Sequence, residues 1–134
     1  MDVGWKWGAP RRLLSFAIDG KAALPASPPR DMTVHALSDS KPQASKTDIQ
    51  AGKSLYLNCM VCHGRDAVSA GAPAPDLRES AIALDPQSFR AVVHDGALLQ
   101  GGMPQFEMFS DAQMSQLQAY IRSRARVALD SRGR

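Results

Sequence analysis

The spacing of apolar residues divides the 134-residue chain into three stretches. Over residues 13 to 18 they alternate, with Leu14, Phe16 and Ile18 set against Leu13, Ser15 and Ala17. A period of two is the pattern of a β-strand, and Asp19-Gly20 supplies a turn at its end. Trp5 and Trp7, also two apart, lie on one face of an extended segment and read as packing aromatics of a short edge strand. Between residues 25 and 46 the alternation is lost, and Pro25, Pro28, Pro29 and Pro42 stand among Ser, Ala, Lys and Asp. Such a stretch buries too little apolar surface to fix its own backbone, so it reads as a linker with a boundary near residue 46. His35, inside it, reads as a solvated histidine.

From Thr47 the spacing becomes helical. Thr47 and Gln50 stand in capping-box register, and Ile49, Gly52, Tyr56 and Cys59 share one face. A second helix is predicted to open at Asp85 as cap with Pro86 in its first position; it carries Phe89, Val92 and Val93 and stops at Gly96. The third and longest begins at Ser110, whose partner Gln113 repeats the capping-box spacing, and its apolar face holds Met114, Leu117, Ile121 and Ala125. No internal repeat is visible. Three helices with connecting loops predict an all-α domain over residues 47 to 134, preceded by the linker and a strand-like segment over residues 1 to 24.

Composition narrows the class. The chain is 44% apolar but has no apolar run long enough to span a bilayer, so a membrane-spanning protein is not expected. The net charge is +3, and seven of the 16 Lys and Arg residues are Arg11-Arg12 and Arg122, Arg124, Arg126, Arg132 and Arg134. The last group complements the negative end of a helix rather than forming an aromatic-studded basic surface, so no nucleic-acid partner is expected. Arg11-Arg12 followed by LLSFAI resembles an export signal only until Asp19, Gly20 and Lys21 cut the apolar run short.

Chemistry concentrates at Cys59-Met60-Val61-Cys62-His63, the pattern of covalent haem attachment. One helical turn puts the two thiols where each can add to a different vinyl group of one porphyrin. The next residue then presents its imidazole to the iron, with the other ring nitrogen left to donate to a backbone carbonyl. A thioredoxin-type pair needs a βαβ context, which helices after residue 46 do not offer. Zinc needs about four ligands, and His35 and His94 are distant in sequence. A disulfide between these cysteines leaves the adjacent His63 unexplained.

With His63 as one axial ligand, a later residue is expected to supply the other. Met60 lies within the attachment motif and cannot reach across the ring. Met114 falls on the apolar face of the last helix, and Met108 sits in a phenylalanine-flanked stretch where packing is the default role. Met103 follows Gly101-Gly102 and precedes Pro104, so its backbone can approach a porphyrin closely and is then held rigid. His94 is the remaining rival, at the end of the second helix, where a partly charged imidazole suits the helix dipole. Met103 is the preferred ligand. Arg78 is read either as a partner of a haem propionate or as an exposed loop arginine.

CMVCH, APDL and GGMPQF together resemble the class I cytochrome c fold over residues 47 to 127, three main helices around one haem. By that resemblance Pro75 supplies the carbonyl that accepts the hydrogen bond from His63. Gly52 and Tyr56 would pack on Leu117 and Tyr120 as the fold's pair of terminal helices. Further out, GWKWGAPRRLLSFAIDGKAALP, the proline-rich linker, APDLRES, DGALLQGGMPQF and YIRSRA resemble the C-terminus of quinohaemoprotein alcohol dehydrogenases. In that family a β-propeller binds pyrroloquinoline quinone and calcium, oxidises an alcohol and hands single electrons to a terminal haem domain.

The resemblance implies one covalent haem c, a quinone-containing dehydrogenase domain as electron donor, and a soluble redox protein or membrane oxidase chain as acceptor. It also implies a periplasmic location. Residues 1 to 24 would then be the last propeller strand or its exit segment. Quinone and calcium would belong to the propeller, and no catalytic residue is assigned to this chain. A free-standing soluble electron carrier is the alternative, although the strand-like residues 1 to 24 have no use in one. A five-coordinate haem that senses or activates small ligands is a third reading and requires Met103 not to bind.

Overall fold

In a computed structural model, which describes residues 13, 15–23, 26, 33–70, 72 and 74–132, one long C-terminal helix organises the rest. Among the described residues the α-helices are α1 (Lys46–Leu55), α2 (Met60–His63), α3 (Pro86–Val93) and α4 (Asp111–Arg132). Short 3-10 turns at Tyr56–Asn58, Arg65–Ala67, Leu77–Glu79, Ala81–Leu84 and Leu99–Gly101 connect them. On α4 the residues Met114, Leu117, Ile121 and Ala125 recur at helical spacing and are all buried. They close a core with Tyr56, Ala67, Ala83, Phe89, Val93, Phe109 and Tyr120. The domain is all-α, and no strand occurs among the described residues.

Helices α1 and α4 cross at Gly52. A Cβ there would fall 1.9 Å from the Gln116 carbonyl oxygen and 2.9 Å from the Tyr120 Cβ. The two backbones therefore touch, and only a residue without a side chain fits the crossing.

Two helix starts follow the sequence pattern. Asp85 accepts from the Ser88 N–H at 2.7 Å with Pro86 next in line. Ser110 and Gln113 form a reciprocal box, with Ser110 N–H donating to Gln113 Oε1 at 2.9 Å and Gln113 N–H to Ser110 Oγ at 3.3 Å. The first helix differs from expectation. Its cap is Ser45, whose Oγ accepts from the Asp48 N–H at 3.0 Å, so α1 starts one residue before Thr47 and the Thr47–Gln50 box does not form.

No strand forms over the described part of residues 13 to 18. Leu13 and residues 15–17 have no regular structure, and Leu13, Phe16 and Ile18 are almost fully exposed. An alternating pattern makes a strand only against a partner edge, and the described residues offer none. The turn at its end is present, with Gly20 N–H donating to the Ala17 carbonyl at 3.1 Å. Trp5, Trp7, Arg11, Arg12, Leu14, Pro25, Pro28 and Pro29 lie outside the described residues.

The second half of the expected linker is docked. Leu37 N–H donates to the Arg78 carbonyl at 3.1 Å, and His35 N–H to Glu79 Oε1 at 2.6 Å. Asp39 accepts from Arg122 Nε at 2.8 Å and from an Arg126 guanidinium nitrogen at 2.5 Å. Arg122 also donates to the Leu37 carbonyl, Lys41 Nζ donates to the Leu84 carbonyl at 3.1 Å, and Ala36 is buried. Residues 33 to 45 thus form a strap on the helical body, held by side chains more than eighty positions away. Among the described residues no helix is long and apolar enough to cross a membrane.

Candidate functional site

The attachment motif occupies a single tight turn. Cys59 N–H donates to the Tyr56 carbonyl at 2.9 Å, and the Cys59 carbonyl accepts from Cys62 N–H at 3.2 Å and from His63 N–H at 2.9 Å. Both thiols are unbridged and half-buried. Burial, helped by the neighbouring Cys62, pushes the Cys59 thiol up to about 11. Gly64 ends the turn at φ +79, where a Cβ would collide with the Val68 carbonyl at 2.0 Å. Glycine is required at that position to turn the chain away behind the histidine.

His63 is buried, and its Nδ1 lies 2.9 Å from the Pro75 carbonyl oxygen. A carbonyl only accepts, so Nδ1 carries a proton. Burial lowers the imidazole pKa below its ordinary value, against the opposing pull of the Pro75 carbonyl and the Asp76 charge. The ring is neutral with Nε2 free, the form in which histidine binds a metal.

The loop carrying Pro75 is fixed on both sides. Ala74 N–H donates to the Cys62 carbonyl at 2.9 Å, and Ser69 Oγ donates to the Ala74 carbonyl. Asp76 is buried and accepts from Ser69 N–H, Arg78 N–H and the Arg78 guanidinium. Asp76 was not singled out by sequence reasoning; its only signal is its place in APDL directly after Pro75. Arg78 is paired with Asp76 at 2.7 Å, and its side chain is 13% exposed, so it is not an open loop arginine.

Met103 is half-buried and packs against the core, as do Cys59, Met60, Leu77, Ile82, Val92 and Phe106. Gly102, at φ +91, lets the chain turn so that Met103 N–H reaches back to the Leu98 carbonyl at 3.2 Å. A Cβ on Gly101 would meet nothing within 4 Å, so of the two glycines it is Gly102 whose conformation demands the residue type. The rival sulfurs are placed differently: Met114 is buried in the core and Met108 is 64% exposed. His94 is engaged at the end of α3, with Nδ1 2.7 Å from Asp95 Oδ1.

Two unbridged thiols one turn apart, followed directly by a histidine whose Nδ1 is held on a carbonyl, fit a covalently attached haem, and the Met103 thioether packs on the same core as Cys59. Among the described residues no group of three or more His, Cys, Asp or Glu converges to hold a bare metal ion.

Comparison with known proteins is consistent with this chemistry. Residues 47–121 match the family model described as cytochrome c oxidase, cbb3-type, subunit III. The chain is 40% identical over 115 residues to quinohemoprotein alcohol dehydrogenase ADH IIB of Pseudomonas putida, covering 84% of this chain and 16% of that protein. It is 33% identical over 124 residues to lupanine 17-hydroxylase (cytochrome c) of a Pseudomonas species, covering 91% of this chain and 17% of that protein. Identity to the dehydrogenase subunit of a quinone alcohol dehydrogenase of Gluconobacter oxydans is 31% over 121 residues, 89% of this chain and 16% of that one. The chain spans about a sixth of the length of these relatives. The all-α architecture, the CMVCH turn and the family match agree, and the chain belongs to the cytochrome c family as a domain of the class I fold.

Proposed function

We propose that this domain transfers single electrons through one haem c, which Cys59 and Cys62 would hold covalently and whose iron His63 and Met103 would ligate. The observation that carries the reading is the Nδ1–H of His63 anchored on the Pro75 carbonyl at 2.9 Å directly after two unbridged thiols. When bound, the haem supplies a one-electron ferric/ferrous couple. His63 is oriented by Pro75 so that Nε2 is presented without rotation, and the Met103 thioether favours the ferrous state. Held by both residues, the haem would supply outer-sphere electron transfer rather than catalysis at iron.

The donor in this reading is a dehydrogenase body containing pyrroloquinoline quinone and calcium, and the acceptor is a soluble redox protein or a membrane oxidase chain. The likeness to two alcohol dehydrogenases and one hydroxylase, each more than five times as long, supports it. Covalent haem attachment of this kind places the domain in the periplasm.

Acid–acetone extraction of the denatured chain tests the attachment, and the oxidised absorption spectrum tests the sixth ligand. We expect one haem retained per chain and a methionine–iron charge-transfer band. A colourless extracted polypeptide overturns the whole reading, whereas retained haem without that band overturns Met103 alone.

A further inference from the structure

We infer that Asp76 is a positioning residue for His63: its carboxylate fixes the loop that presents the Pro75 carbonyl to the imidazole, and so sets the electron density on the ligating nitrogen. The inference rests on the reading of His63 as an iron ligand.

Asp76 is 4% exposed and accepts four hydrogen bonds. Oδ2 takes the Ser69 N–H at 3.1 Å and an Arg78 guanidinium nitrogen at 2.7 Å. Oδ1 takes the Arg78 N–H at 3.0 Å and Arg78 Nε at 2.9 Å. One of these bonds caps the short turn Leu77–Glu79, and a cap needs no more than that. The bond to Ser69 spans seven residues, and the pairing with Arg78 withdraws two charges from water, a cost that capping alone does not require. What the extra bonds achieve is geometric. They fix residue 76 on one side of Pro75, while the Ala74 N–H on the Cys62 carbonyl fixes residue 74 on the other. The proline ring restricts the backbone between them, and the carbonyl of Pro75 is held on His63 Nδ1.

A carbonyl held firmly on Nδ1–H makes the opposite nitrogen a stronger donor, as partners of metal-bound histidines do generally. A stronger donor favours ferric iron. Loosening the carbonyl therefore raises the reduction potential and lets the Nδ1 proton exchange faster with solvent.

The test uses the full haem-bearing chain. Asp76→Asn replaces one accepting oxygen with an amide that cannot receive both the Ser69 N–H and the Arg78 guanidinium, and Arg78→Gln leaves Asp76 with two of its four donors. In both variants the hyperfine-shifted His63 Nδ1–H should exchange at least about threefold faster. In Asp76→Asn the midpoint should also rise by between about threefold and tenfold in the ferric/ferrous equilibrium, tenfold being about 59 mV for one electron. A charge effect alone would raise the potential in Asp76→Asn, lower it in Arg78→Gln and leave exchange unchanged in both, and that pattern overturns the inference. If Asp76→Asn does not mature, Arg78→Gln decides on exchange. A wild-type chain lacking haem overturns this inference and the proposed function together. Haem and the methionine–iron band present with unaltered exchange in the variants overturns this inference alone.

Discussion

The rings of Tyr56 and Tyr120 lie 5.2 Å apart and tilted by 53°, yet their hydroxyls hold two different residues of one bend. Tyr56 donates to the Gly64 carbonyl at 2.9 Å, and Tyr120 to the Asp66 carboxylate at 2.9 Å. The bend follows directly on the CMVCH turn and includes Asp66 and Ala67 at φ 56 and 61, a conformation that costs roughly 1–3 kcal/mol for each non-glycine residue. The tyrosine pair between α1 and α4 thus stabilises the strained backbone behind the histidine.

Tyr120→Phe should lower stability by about 2 kcal/mol, the usual loss for a hydrogen bond to a charged group, read as an earlier urea midpoint. The same pair gives an alkaline limit. Burial, with the Asp66 hydrogen bond and charge adding to it, pushes Tyr120 up to about 12 from an ordinary 10. A raised value in the folded state means that the contribution is complete below pH 10 and is lost as pH rises through 12. Wild-type stability should fall across that window, and the Tyr120→Phe curve should be flatter there.

At acid pH the strap depends on Asp39. Burial raises its pKa, but the hydrogen bonds and charges of Arg122 and Arg126 outweigh that and hold it below the ordinary 3.8. The strap's contribution is therefore complete above pH 3.8 and disappears as pH falls through the lower folded value. Asp39→Ala should cost on the order of 3 kcal/mol near neutrality, because it leaves the buried Arg122 without its counter-charge. Wild-type and variant stabilities should converge in acid, and curves that stay parallel would show that the ion pair contributes nothing.

Gly52→Ala places a methyl where the Gln116 carbonyl already is, at 1.9 Å. Helix propensity favours alanine by about 1 kcal/mol, and forced separation of two packed backbones costs about 3 kcal/mol or more. The clash wins. Thermal unfolding followed by circular dichroism should show a lower midpoint.

Met103→Ala should lower the reduction potential and open the iron to carbon monoxide, while Met108→Ala at its exposed site should leave both unchanged. Loss of the charge-transfer band in the second variant instead of the first would move the ligand to Met108.

What could be read from the sequence was local. Asp85 with Pro86, and Ser110 with Gln113, announce helix starts because cap and partner lie within four residues. Thr47-x-x-Gln50 reads as a capping box but overlaps Ser45-x-x-Asp48, the cap that forms, and Gln116 Nε2 on α4 donates to Asp48 Oδ1 at 3.4 Å. CMVCH was legible as chemistry, and Pro75 came from family resemblance, since no spacing rule links it to His63 twelve positions earlier. The docking of the strap was not legible at all. A Pro-rich segment looks free until Arg122 and Arg126, on the far end of the chain, are brought beside Asp39.

That docking changes a length. Loose, residues 35 to 45 could extend about 40 Å; docked on Arg78, Glu79, Arg122 and Arg126, they give none of that reach to whatever is joined ahead of them. Anything joined ahead of the strap is held at a higher effective concentration than a loose stretch of that length would give. A carboxylate on two arginines thereby acts as a leash-shortener, raising encounter frequency without adding a contact at the encounter itself.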